Sequence, residues 1–109
     1  MIKKSSLKKV KIPNSLQGIL WSKSIGSINL EDDKVYIIHQ ILSYGDIKDI
    51  KWLFKTYSKD EIKDIFISHP VKIYTKPIFY FIKNFILNIK KDTIENEYVK
   101  NIAGTFRQK

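Results

Sequence analysis

The chain has 109 residues, no cysteine, and 20 basic against 11 acidic residues, for a formal net charge of +9. That length fits one domain, whose single core buries roughly 65% of the unfolded surface. Without cysteine there are no disulfides and no thiolate metal site, and the opening MIKKSSLKKVKIPNSL has charge but no apolar run behind it, so no secretory signal is expected and the chain reads as cytoplasmic.

Residues 1–15 read as a basic, flexible arm, with a turn signal at Pro13-Asn14. A single helical domain is expected over residues 16–103, and a frayed tail over 104–109. Leu16, Ile19, Leu20 and Trp21 form a short apolar cluster, expected to fold onto the helices with Trp21 as a core anchor. Ser22 to Ser27 is a polar loop.

The first helix is expected over about 30–44. Asn29 is its N-cap, and Glu31, Asp32 and Asp33 sit in the first turn, where the helix dipole favours acids. Val35, Ile38 and Leu42 form one apolar stripe, with Ile37, Ile41 and Tyr44 beside it. A stripe that wide needs more than one neighbour. Gly45 is expected to stop this helix in the left-handed conformation. His39 reads as a histidine at the core margin, because His69 has no ligand-type spacing to it.

The second helix (about 46–57) is capped by Asp46, with Asp49 three residues on. Its core face is Ile47, Ile50, Leu53, Phe54 and Tyr57. Trp52 falls off that stripe; it either reaches the Trp21 segment, the favoured reading, or marks an exposed contact. The third helix (about 59–69) opens on the capping box Ser58–Glu61, buries Ile62, Ile65 and Phe66, and ends before Pro70. The short linkers predict a compact trihelical, helix-turn-helix-like unit.

A fourth, aromatic helix is expected over about 76–89, after an extended link and a Thr75 cap. Its inner stripe is Ile78, Ile82, Phe85, Ile86 and Ile89. The apolar run Ile78 to Ile89 is about 12 residues long, short of the ~20 a membrane span needs, so no membrane role is expected. A weak C-terminal helix is expected from Asp92 to about Ala103. The fold class is all-α.

No phosphate-cradling glycine loop, nucleophile elbow or metal-ligand spacing occurs, and no cofactor or enzymatic activity is expected. Two kinds of contact are. Phe79, Tyr80, Phe81 and Leu87 widen the aromatic helix beyond what the trihelical unit covers; with Tyr98 and Phe106 they are candidate contacts to a partner protein. Charge suggests the alternative. Residues 1–29 carry six lysines and no acid, residues 30–68 are slightly acidic, and residues 69–109 are basic again. Lys3, Lys4, Lys8, Lys9 and Lys11 in the arm, with Lys48, Lys51 and Lys55 on the second helix, are candidate nucleic-acid contacts.

Several runs occur together: Leu20-Trp21; Ile37, Ile38, Leu42, Tyr44, Gly45 and Asp46; Trp52, Leu53 and Tyr57; Glu61-Ile62; and the aromatic Phe79 to Phe85. In this combination, over about 16–89, the chain resembles an uncharacterised family of small bacterial helical proteins. Members are often encoded beside nucleotidyltransferase-like toxins of the abortive-infection type. The resemblance implies a non-enzymatic, antitoxin-like or accessory protein whose partner is such a toxin. It implies no active site.

Overall fold

In the computed structural model the described residues are 12–90 and 95–100. Four helices carry the fold: α1 (Lys34–Tyr44), α2 (Ile47–Thr56), α3 (Lys59–Ser68) and α4 (Lys76–Phe81), which runs on into a π-helical turn, Ile82–Ile86. Short 3-10 helices lie at Asn14–Gly18, Ile25–Ser27 and Glu95–Glu97. Among the described residues the one β-type pairing is a parallel bridge between Tyr74 and Val99. The fold is all-α.

Helix α1 is the centre. All seven residues from Ile37 to Ser43 are buried, so it is enclosed on every side, as its double stripe requires. It packs against both α2 and α3. Its buried polar side chains fasten non-helical backbone to the core. Gln40 donates to the Ile19 carbonyl, His39 to that of His69, and Ser43 to that of Ile73. The first holds the N-terminal segment; the other two hold the extended link that follows α3.

The entry to α1 differs from expectation. Asn29 Oδ1 does accept the backbone N–H groups of Glu31 and Asp32, at 2.8 Å each. Leu30 to Asp33, however, form a turn, and the α-helix begins at Lys34. The Asp33 carboxylate folds back onto the Asn29 N–H and the Lys23 ammonium, and its own backbone (φ −102°, ψ 19°) leaves the helical region. Those hydrogen bonds, followed by the ammonium's charge, hold the Asp33 carboxyl below its ordinary pKa.

The α1–α2 corner is also corrected. Gly45 is extended (φ −80°, ψ 160°), not left-handed. Glycine is needed there for space: a Cβ would sit 2.7 Å from the Ile41 carbonyl oxygen and 2.9 Å from the Asp49 Cβ. Asp46 caps α2 as expected. Its carboxylate accepts the Asp49 N–H at 3.1 Å, and Asp49 reciprocates at 3.0 Å. At α3, Ser58 Oγ accepts the Glu61 N–H, but Glu61 does not complete the box. Its carboxylate lies 2.7 Å from Lys34 Nζ, tying α3 to α1 and raising the lysine's pKa.

The left-handed stop lies elsewhere, at Asn88 (φ 53°), after the π turn. Leu87 N–H bonds to the Ile82 carbonyl and Ile89 N–H to that of Lys83. The second bond reaches back six residues across the left-handed Asn88, one residue further than in a Schellman cap, as the wider π turn before it requires; asparagine is a non-glycine residue that tolerates the left-handed position. The aromatic helix is therefore α-helical only to Phe81. Its expected inner stripe holds at Ile82 and Ile89 but fails at Phe85, which is 76% exposed.

The C-terminal residues do not extend as the expected helix. Glu95–Glu97 is a 3-10 turn, and the backbone then pairs with Tyr74 through Tyr74 N–H to the Tyr98 carbonyl and Lys100 N–H to the Tyr74 carbonyl, both 2.9 Å. The start of that expected helix (Asp92 to Ile94) and its end lie outside the described residues. So do most of the basic arm and the whole of the 104–109 tail. Ile12 is buried, so packed structure begins before Leu16.

An aromatic cluster closes the core. Phe66 stacks on Tyr98 with centroids 4.7 Å apart, and Tyr74 and Phe79 adjoin it. Pro70 has no N–H for the Phe66 carbonyl four residues back, so α3 ends with that acceptor open. Tyr98 fills it: its hydroxyl donates to the Phe66 carbonyl at 2.7 Å. Tyr57 likewise donates to the Leu30 carbonyl at 2.7 Å.

Candidate interaction surfaces

The expected partner contacts divide into two groups. Phe79, Leu87 and Tyr98 are buried in this chain's own core and offer nothing to a partner. The reason is the π turn and the Tyr74 pairing, which turn Leu87 inward and draw Tyr98 under α3. Burial pushes the Tyr98 phenol up to about 12, with the Glu97 charge adding to it. Tyr80 and Phe81 are exposed, and the Tyr80 hydroxyl donates to the Glu95 carboxylate at 2.6 Å. Phe106 lies outside the described residues.

The surface residue missed from the sequence is Phe85. Its ring lies 6.0 Å from that of Phe81, so the two form an exposed aromatic ridge on the closing helix. Regular α-helical spacing sends Phe85 inward with Ile78 and Ile82; the π turn sends it out. The sequence signal is the adjacent Asn88, a residue suited to a left-handed stop. Lysines 76, 83 and 90 share this segment.

Trp21 is not a core anchor. It is 59% exposed and rests against the Tyr44 ring at 5.1 Å, with Lys100 Nζ 5.5 Å from the centre of that same ring. Leu16 and Leu20 take the buried places of that segment. Ile47, expected on the core face of α2, is exposed at the helix's first position.

Lys48, Lys51 and Lys55 are exposed on α2 and surround a groove of about 330 Å³. Its other walls are Trp52, Asp49 and the N-terminal residues Pro13, Ser15 and Leu16. Trp52 thus meets the N-terminal segment at Leu16 and not at Trp21. The arm lysines Lys3, Lys4, Lys8, Lys9 and Lys11 lie outside the described residues.

His39 is a structural histidine. The His69 carbonyl can only accept, so His39 Nε2 carries the proton and Nδ1 accepts from the Tyr74 hydroxyl, both at 2.7 Å. Among the described residues no group of three or more His, Cys, Asp or Glu is placed to hold a metal ion, and no helix is long and apolar enough to cross a membrane.

These features define a small all-α domain with two exposed surfaces, an aromatic ridge and a lysine-lined groove. Over residues 16–66 the chain matches a family of unknown function, DUF6922. The match begins within the first 3-10 helix and ends at Phe66, within α3. It includes Trp52 and the three groove lysines, and it stops before the aromatic helix that the sequence resemblance took in. No curated protein and no solved structure matches.

Proposed function

We propose that this chain is a non-enzymatic, antitoxin-like accessory protein that acts by binding a partner protein on the ridge of Phe81 and Phe85. The observation that carries this reading is the exposure of Phe85, 76% open beside a second open phenylalanine. Burying one phenylalanine side chain gains about 1.5–3 kcal/mol, and a few such anchors dominate an interface. The basic composition of residues 69–109 favours a partner face with an apolar pocket and an acidic rim. The sequence resemblance supplies the candidate: a nucleotidyltransferase-like toxin encoded beside the gene.

The test is co-purification with the neighbouring gene product. The pair should co-elute, and Phe85→Ser should weaken the complex at least tenfold while the melting temperature holds. No complex at micromolar concentration rejects the reading. Helix-turn-helix-like docking on duplex DNA finds less support. The first turn of α3, where a recognition helix meets base edges, carries Asp60 and Glu61.

A further inference from the structure

The groove on α2 has properties that the protein-binding reading does not use. Lys48, Lys51 and Lys55 recur at i, i+3 and i+7, so they share one helix face, about 10 Å from first to last along the axis. A solvated helix face normally places acids three or four residues from its lysines. Here no acid stands at any such position: the neighbours of the three are Tyr44, Gly45, Ile47, Trp52, Phe54, Ser58, Lys59 and one another. The spacing Lys48–Lys51 and Lys51–Lys55 instead puts like charges side by side, which destabilises a helix. Among the described residues none of the three lies within ion-pair distance of a carboxylate, whereas Lys23, Lys34 and Lys76 all do. The one acid in the groove, Asp49, is buried and holds the Asp46 N–H.

Trp52, half-buried, lines the same groove as these lysines, together with Pro13 and Leu16. A flat ring flanked by ammonium groups is the arrangement on which a nucleobase stacks while its phosphates meet lysines. The volume, about 330 Å³, is at the low end for small-ligand sites and fits a nucleotide-sized group, not a peptide helix or a duplex. In sequence, Lys8, Lys9 and Lys11 shortly precede Pro13.

We propose that this groove binds single-stranded nucleic acid, with one base against the Trp52 ring and the adjoining phosphates on Lys48, Lys51 and Lys55. The partner-protein ridge of Phe81 and Phe85 is on another helix, so this site stands or falls independently of it.

The test uses the full chain and a fluorescein-labelled oligo-dT of eight nucleotides, read by anisotropy at low salt. The labelled strand should bind, and an unlabelled duplex of equal length should compete more weakly than the single strand. Trp52→Ala should weaken binding roughly 5- to 150-fold, the range for losing one stacked base. Trp52→Phe should recover most of it. The double variant Lys51→Gln/Lys55→Gln, at exposed positions that should not affect folding, should lower the salt slope of log K by about 1.4. Any of three results overturns the proposal. One is no binding at low salt. Another is an unchanged salt slope in the lysine variant. The third is full competition by thymidine monophosphate at equal nucleotide concentration, which would make the site one for free nucleotides. If Trp52→Ala does not fold, the lysine variant alone decides.

Discussion

His39 makes stability depend on pH in a predictable direction. The ring is buried, donates Nε2–H to the His69 carbonyl and accepts from Tyr74 at Nδ1. Burial disfavours the imidazolium and lowers the pKa from 6.5 to about 4, only partly offset by the His69 hydrogen bond. Protonation would also place a proton on Nδ1 facing the Tyr74 hydroxyl, which burial keeps protonated. The unfolded chain therefore binds this proton at higher pH than the folded chain. The full contribution is present above the unfolded value of 6.5, and it is lost progressively as pH falls toward 4. Between pH 7 and pH 5 the loss is about 2 kcal/mol, approaching about 3 kcal/mol below pH 4. Urea unfolding of the wild type and of His39→Gln at pH 7 and pH 5 isolates the effect. The variant is less stable at pH 7, but its stability should fall by about 2 kcal/mol less between the two pH values. Equal slopes for the two proteins would show that His39 is not buried neutral between Tyr74 and His69.

Three further substitutions test the joints of the fold. Tyr98→Phe removes the hydroxyl from the Phe66 carbonyl at the Pro70 break, and should cost about 1–3 kcal/mol by chemical denaturation, as for any buried acceptor left open. Asp46→Ala should cost about 1 kcal/mol through loss of the α2 cap, with partner binding falling only as the folded fraction falls. Gly45→Ala puts a methyl against the Ile41 carbonyl and the Asp49 Cβ, and should lower stability by about 1–3 kcal/mol; an unchanged melting temperature would show that the corner has slack.

The sequence carried the helices because their signals are local. Asp46-x-x-Asp49, Ser58 and the Ile/Leu spacing of α1 to α3 each act within one or two turns, and each appears in the structure close to where it is read. The surfaces were less legible because they depend on which aromatic wins a place in the core. Trp21 and Leu20 are adjacent, and the smaller residue is the buried one. Phe79 and Phe85 belong to one run, yet the first, in the α-helical part, is buried and the second, within the five-residue π turn, is exposed. Nothing in a 3.6-residue pattern marks a five-residue bonding step. The lysine face of α2 was visible, by contrast, because charge spacing on a regular helix survives whatever packs beneath it.

The tyrosines show how the chain turns its breaks into structure. At three breaks in helical bonding a carbonyl is met by a side chain distant in sequence. Tyr98 meets Phe66 before Pro70, Tyr57 meets Leu30 in the turn before α1, and Tyr74 fixes the ring that holds the His69 carbonyl. These phenols are core residues because their rings bury area and their hydroxyls satisfy backbone, and neither end remains for a partner. Among the described residues Trp21, Tyr80, Phe81 and Phe85 are exposed aromatics without such a backbone or core role, while Trp52 on α2 packs against the core with part of its surface left open. A phenylalanine has no polar end to satisfy, so its exposure is stabilised by nothing within the chain. Trp52, half-buried, shows no protein hydrogen bond to its side chain among the described residues. In the two proposals made above, that difference in chemistry, more than exposure alone, is the ground for assigning a protein partner to the Phe81–Phe85 ridge and a stacked base to the lysine-lined groove.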